Sequence, residues 1–294
     1  MADSRDTSPG QIPIISWATT VSSIVLCLTA VTFSAELHLK LGLTFFTEQG
    51  LAVILAFSLA IIYLNIPLTE DAAKSSPPWY DVLFAALGFG AGIYLAVRFD
   101  LLTDEFFYRQ KEAFVIGIIL VPLTIEGLRR TAGWSLTSIV LFFFIYAFWG
   151  NFIPGKLQGR AQSLESLVPY VAVDNVALFG LPMTIVCTIV VMFIFMGQML
   201  LKSGGSEWFT DIATALMGRT RGGSAKIAVV ASGLFGSISG SAVSNVASTG
   251  VITIPLMRQA GYERKVAGAF EAVASTGGQI MPPIMGAAAF LMAE

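Results

Sequence analysis

Gly236-Ser237-Ile238-Ser239-Gly240-Ser241, then Ser244-Asn245, Thr249-Gly250 and Pro255, then Ser275-Thr276-Gly277-Gly278-Gln279-Ile280-Met281-Pro282-Pro283, decide the reading of this sequence. Small, hydroxylated and helix-breaking residues interrupt a chain that is otherwise apolar enough for a bilayer. Lipid offers the backbone no hydrogen bonds, so a broken helix at membrane depth is tolerated only against protein or a wet cavity. Two such breaks within one short stretch predict a built polar site inside an apolar, all-helical protein.

Working outward, 55% of the 294 residues are hydrophobic and 12% are charged, with mean hydropathy +0.76. Soluble domains carry about 25% charged residues, so the chain is an all-α polytopic membrane protein by composition. A net charge of −2 gives no sign of a nucleic-acid partner, and membrane lipid is its expected environment. One histidine, His38, and two cysteines, Cys27 and Cys187, argue against a protein metal cage, and the cysteines read as small buried hydrophobes rather than a disulfide. The polar first eleven residues precede a span without a cleavage pattern, so that span reads as retained. No nucleophile–histidine pair, phosphate-binding loop or metal motif occurs, and the chain reads as a non-enzyme.

About 20 mostly apolar residues cross a bilayer. Six stretches qualify: Ile12–Ser34, Gly50–Leu68, Trp79–Arg98, Ala113–Glu126, Trp134–Ile153 and Leu178–Leu201. Residues 1–130 read as a four-helix scaffold in which Gly88, Gly90 and Gly92 permit close packing. Glu36, His38 and Glu126 sit at span ends and read as interfacial, and Arg129-Arg130 reads as a basic linker opening the second part, residues 131–294. Two readings stand for Lys156–Val176, an interfacial helix or a loop holding a short one. In Trp208–Met217, residues Trp208, Ile212, Ala215 and Leu216 share one side of an amphipathic helix.

Gly223–Ile238 and Ala242–Met257 are each 16 residues long, roughly 24 Å as helix, too short for a core of about 30 Å. Either they form a re-entrant hairpin (residues 223–257) or one continuous span centred near Gly240. With the N-terminus cytoplasmic, a hairpin leaves 11 of the 17 basic residues inside, whereas a single crossing leaves 8. The excess of basic residues on the cytoplasmic side favours the hairpin. Residues 266–294 begin as helix, meet Gly277-Gly278 and Pro282-Pro283, and read as a discontinuous span: a half-helix to about Thr276, an unwound stretch, and a second half from about Ile284. The sequence stops in apolar residues at Glu294, which gives the expectation that it is the N-terminal portion of a longer protein.

Arg221-Gly222-Gly223, Val229-Val230-Ala231-Ser232, Ser239-Gly240-Ser241-Ala242-Val243, Ile254-Pro255-Leu256-Met257, Ala260-Gly261-Tyr262 and Ile280-Met281-Pro282-Pro283 resemble the membrane subunit of tripartite ATP-independent periplasmic (TRAP) transporters. Ala274 through Pro283 resembles the TAXI branch, in which small and large membrane subunits are fused. The likeness is dense over Ser203–Glu294 and thinner over Trp134–Leu201; over residues 1–130 it is the four-span pattern alone. It implies the first half of an inverted-repeat elevator transporter: a sodium symporter in the cytoplasmic membrane of a bacterium or archaeon, with no cofactor beyond sodium as coupling ion. A small organic anion, a carboxylate, is the implied substrate, delivered by an extracytoplasmic TAXI-type substrate-binding protein. Many dicarboxylate-type members carry serine after the paired prolines, whereas Ile284 stands here, so their substrate class does not carry over.

Hard cations take oxygen ligands, and breaks of this kind line the ion and substrate sites of secondary transporters. Candidate sodium and substrate residues are Ser239, Gly240, Ser241, Ser244, Asn245, Thr249, Ser275, Thr276, Gly277, Gly278, Pro282 and Pro283, with sodium itself placed at Ser239, Ser241, Ser275, Thr276 and Gly277. Singly, any of these serines or glycines also reads as a packing contact. Glu271 is the one acid of its half-helix, either a functional intramembrane acid or a residue near the cytoplasmic end. Two other functions compete: an ion channel filtered by the Gly-Ser break, and a purely structural membrane scaffold.

Overall fold

A computed structural model describes residues 13–40, 42, 44–68, 77–104, 110–160, 162–282, 285, 286, 289 and 292. The packing divides the chain into two units, Met1–Thr184 and Ile185–Glu294. The protein is an all-α polytopic membrane protein. Five helices among the described residues are long and apolar enough to cross a membrane: Ile15–Ser34, Thr47–Asn65, Trp79–Leu102, Lys111–Phe152 and Leu181–Leu200.

The first unit holds α1 (Pro13–Ser34), α2 (Leu37–Lys40), α3 (Thr47–Asn65), α4 (Trp79–Asp104), α5 (Gln110–Trp149) and α6 (Leu164–Val173). Its core lies on α3, where Ala52, Ala56, Leu59 and Tyr63 are buried. Gly88 and Gly92 of α4, one turn apart, admit Leu59 and Ala56; a Cβ on Gly92 would sit 2.7 Å from that of Ala56. Gly90 meets nothing and plays no part in that contact. Cys27 is free on the exposed side of α1 rather than buried, a place where an apolar environment suits a small thiol.

Two expected spans turn out to be one element. The fourth and fifth are two helical arms, joined at Gly133 and labelled together as α5, and Arg129-Arg130 lies in the helix of the first arm, not in a linker. Arg130 is neutralised inside that helix, donating to Asp81 Oδ1 at 2.7 Å, Glu126 Oε1 at 3.0 Å and the Ile66 carbonyl at 2.9 Å. Glu126, expected at an interface, is held by both arginines. The chain bends instead at Gly133, whose φ of 76° and ψ of −177° only glycine adopts readily. The arms on either side share a cavity of about 460 Å³ with Gly117, Pro122, Thr137 and Phe144 in its walls. Of the two readings for Lys156–Val176, the structure takes the short helix: α6 packs Val168 on Gly117, with Leu167, Ala172 and Val173 buried.

The boundary between the units falls at the end of α7 (Leu181–Ile185), which passes through a π turn at Val186–Val190 into α8 (Val191–Lys202); α9 (Gly205–Met217), α10 (Gly223–Ser239), α11 (Ala242–Gln259) and α12 (Arg264–Gly277) follow in the second unit. α9 is helical across Trp208–Met217 as expected, and the side carrying Trp208 and Leu216 is the exposed one. Phe209 and Ala213 are buried with Met217 packed behind them, while Trp208 and Leu216 are 60% and 62% exposed. Both stripes are apolar, and the small Ala213 allows Ile227 and Ala231 of α10 to approach. α10 and α11 are antiparallel, since Ser232 lies against Thr249 while Ala225 and Ala228 pack on Met257. A continuous helix through Gly240 is therefore excluded. Of the second half-helix expected from Ile284, the described residues include Met285, Gly286, Ala289 and Met292; Pro283 and Ile284 lie outside them.

Candidate functional site

The hairpin tip is built from local backbone chemistry. Gly240 closes α10 in the left-handed region, with φ 60° and ψ 2°, which costs glycine little and other residues more. Ser241 is extended and caps α11, its Oγ accepting from the Ser244 amide at 3.3 Å. At the other break α12 gives way to a 3-10 turn, Gly278–Ile280, and then to extended Met281.

The two breaks touch. An added Cβ on Gly236 would fall 2.5 Å from Gly278 Cα, so backbone meets backbone there. A Cβ on Gly286 would lie 2.8 Å from the Gly240 carbonyl oxygen, which places Gly286 against the hairpin tip. Ser239, 4% exposed, holds a buried Oγ with no hydrogen-bond partner. Buried hydroxyls are nearly always paired, so this atom stands out at the end of α10, where Ser239 Cα and Cβ pack against Gly197 of α8.

One turn deeper the polar residues converge on Glu271, which is fully buried. Its Oε1 accepts from Ser232 Oγ at 2.8 Å, Thr249 Oγ1 at 2.5 Å and Ser275 Oγ at 3.2 Å, and its Oε2 accepts from Thr253 Oγ1 at 2.5 Å. Gly250 leaves room for the acid; a Cβ there would stand 3.2 Å from Glu271 Cγ. Asn245 braces the hairpin from within, donating to the Ser232 carbonyl at 2.7 Å. Together α10, α11 and α12 are tied by one dry hydroxyl–carboxylate network.

The sequence-predicted residues thus separate into groups. Asn245, Thr249 and Ser275 belong to the Glu271 network, and Gly278 to the contact with Gly236. Ser241 and Ser244 line an open cavity of about 730 Å³ with Gln198, Glu207 and Ser248. Thr276 is exposed, its hydroxyl donating to the Ala272 carbonyl at 2.7 Å, and Gly277 and Pro282 are exposed as well. Ser232, Gly236 and Thr253 were missed, and Glu271 was left undecided. The signal lay in spacing: Asn245, Thr249 and Thr253, like Glu271 and Ser275, recur every four residues, which sets them on one helix face.

Residues 118–294 match the family model described as "Tripartite ATP-independent periplasmic transporter, DctM component". The chain is 26% identical over 208 residues to the sialic acid TRAP transporter permease protein SiaT of Haemophilus influenzae, covering 70% of this chain and 30% of the relative. It is 35% identical over 91 residues to the C4-dicarboxylate TRAP transporter large permease protein DctM of Pseudomonas aeruginosa, covering 31% of this chain and 21% of that one. The 2,3-diketo-L-gulonate TRAP transporter large permease protein YiaN of Escherichia coli is 31% identical over 91 residues, covering 31% and 21%. The chain spans less than a third of the length of these curated relatives. No solved structure gives a significant match.

Proposed function

The chain belongs to the DctM family of TRAP transporters, and from that premise we propose that it takes part in sodium-coupled secondary uptake of a small organic anion by an elevator mechanism. It sits in the inner membrane as a multi-pass protein with its N-terminus cytoplasmic. An extracytoplasmic substrate-binding protein of the TAXI type delivers the anion, and residues 1–130 serve as the fused small-subunit scaffold. The observation that carries the reading is Ser239 Oγ, buried and unpartnered beside the hairpin tip at the end of α10.

Sodium needs several oxygen donors at once. The set proposed is Ser239, Ser241, Ser275, Thr276 and Gly277. A hydroxyl that donates its proton keeps lone pairs for a cation, so the bonds from Ser275 to Glu271 and from Thr276 to Ala272 do not disqualify either residue. Ser241 and Ser244 open onto the cavity they share with Gln198 and Glu207, where the N-terminus of α11 favours the carboxylate of a substrate.

Purified permease in proteoliposomes, tested with its binding protein and with sialic acid, C4-dicarboxylates and diketogulonate as trial substrates, decides the matter. Uptake is expected only when binding protein and an inward sodium gradient are both present. Uptake that persists without either one overturns the reading.

A further inference from the structure

The base of the hairpin is strongly basic. Between Gly218 and Val266 stand Arg219, Arg221, Lys226, Arg258, Arg264 and Lys265 against a single acid, Glu263. All six basic residues are exposed, and among the described residues none of them enters an ion pair. The fold gathers them. Ala225 and Ala228 of α10, Met257 of α11 and Ala267 of α12 share one core cluster, with Tyr262 packed on it. The turn before α10 meets the turn before α12, since a Cβ on Gly222 would lie 3.5 Å from the Tyr262 hydroxyl.

Their positions run against the helices' own electrostatics. A helix N-terminus carries partial positive charge and ordinarily favours acids in its first turn. α10 and α12 have no acid there; Lys226 stands in the first turn of one, Arg264 and Lys265 in that of the other. Neither end is capped by a side chain: Gly222 has none to offer, and Glu263 makes no capping bond. Sidedness in the membrane asks for basic residues beside a span, but not for their placement on two positive helix ends. An anion from outside the chain offsets that repulsion. A cavity of about 610 Å³ lies there to receive one, walled by Gly222, Gly223, Ser224 and Tyr262, with Ile227 and Leu256 as its apolar part. Exposed apolar residues stand one turn inward from the charges, Leu216 from Arg219 and Val229 from Lys226. Charge at the rim with apolar surface below it matches a phospholipid rather than a soluble anion.

We propose that the hairpin base binds an anionic phospholipid, its headgroup phosphate in the cavity at Gly222-Gly223-Ser224 and its acyl chains along Leu216 and Val229. The six basic side chains supply the attraction. The bound lipid holds the hairpin base at headgroup level and so sets the depth of the tip in the bilayer. This site is separate from the sodium and substrate residues.

Native mass spectrometry of the purified protein in detergent, titrated with phosphatidylglycerol or phosphatidylcholine, tests the site. Phosphatidylglycerol is expected to stay bound at concentrations where phosphatidylcholine does not. The triple variant Arg219→Gln, Arg221→Gln, Arg258→Gln should lose about fivefold in affinity per charge removed, roughly 100-fold in all. Arg219→Lys, Arg221→Lys, Arg258→Lys keeps the charges and should keep most of the binding. Lys40→Gln, Lys111→Gln, Arg160→Gln removes as many charges elsewhere and should leave the affinity unchanged. An equal loss in that control, or equal retention of the two lipids by the wild type, overturns the proposal. Displacement of the lipid by an equal concentration of inorganic phosphate assigns the cavity to a soluble anion and overturns it as well. Where the glutamine variant fails to fold, the wild-type comparison of the two lipids still decides. Sodium-dependent uptake enters none of these readouts, so a failure of the transport reading leaves the result standing.

Discussion

Gly236 and Gly278 hold α10 and the unwound stretch after α12 in backbone contact: a Cβ on Gly236 would lie 2.5 Å from Gly278 Cα, and one on Gly278 would lie 2.6 Å from Gly236 Cα. Asn245 Nδ2 closes the same gap at 2.8 and 3.0 Å. Neither obstacle is the free end of a flexible side chain, so the contact has no easy way to yield.

Gly236→Ala and Gly278→Ala are each expected to destabilise the protein by about 1–3 kcal/mol through overpacking. The double variant should cost no more than the sum of the singles, because one separation of the two segments relieves both clashes. Thermal unfolding in detergent checks the stabilities. Alanine tolerated at either position with an unchanged unfolding temperature would show that the two breaks do not touch.

Ser239 gives the opposite separation of stability from function. Its Oγ makes no bond, so Ser239→Ala loses none and is expected to shift stability by less than about 0.5 kcal/mol. Its sodium requirement in uptake assays should nonetheless rise several-fold. A sodium dependence equal to wild type removes this hydroxyl from the ion site.

In the first unit, Arg130 and Asp81 form a fully buried pair at 2.7 Å, with the guanidinium 4.7 Å from the Tyr63 ring centroid. Arg130→Leu strands the buried Asp81 carboxylate and is expected to cost about 3–5 kcal/mol, whereas Asp81→Leu leaves Arg130 its bond to Glu126 and should cost less. Combining Asp81→Leu with Arg130→Leu should recover a large part of that loss. A double-mutant cycle read by thermal unfolding checks it, and strictly additive losses would contradict the pairing.

Gly133 and Gly90 isolate conformation from contact, because a Cβ at either meets nothing within 4 Å. Gly133 holds φ 76° with ψ −177°, so Gly133→Ala is expected to cost about 1–3 kcal/mol in backbone strain. Gly90→Ala, inside α4, should be neutral or stabilising by up to about 1 kcal/mol. Equal effects at the two sites would mean that the bend in α5 is not set by Gly133.

Much of the architecture was legible before any coordinates. Apolar composition, span lengths and the residues at Gly240 and Gly278 act through the chain's own neighbourhood, and the helix ends fall at Ser239, Ala242 and Gly277 accordingly. Arg129-Arg130 misled because paired arginines resemble a solvated loop; the partner that keeps Arg130 in a helix, Asp81, is 49 residues away. Which side of α9 is buried was not legible because two of its stripes are apolar, and only one has a small residue, Ala213, against Ile227 and Ala231 of α10.

The sequence by itself determined an all-helical membrane protein with two breaks in its Ser- and Gly-rich stretches, because hydropathy and backbone preference are local properties. Tertiary structure alone decided that Ser232, Thr249, Thr253 and Ser275 surround Glu271, and that Ser239 is left without a partner. Periodicity places a hydroxyl on a helix face. Which hydroxyls share one dry space around a single charge depends on how closely three helices approach, and here Gly236, Gly250 and Gly278 set that approach.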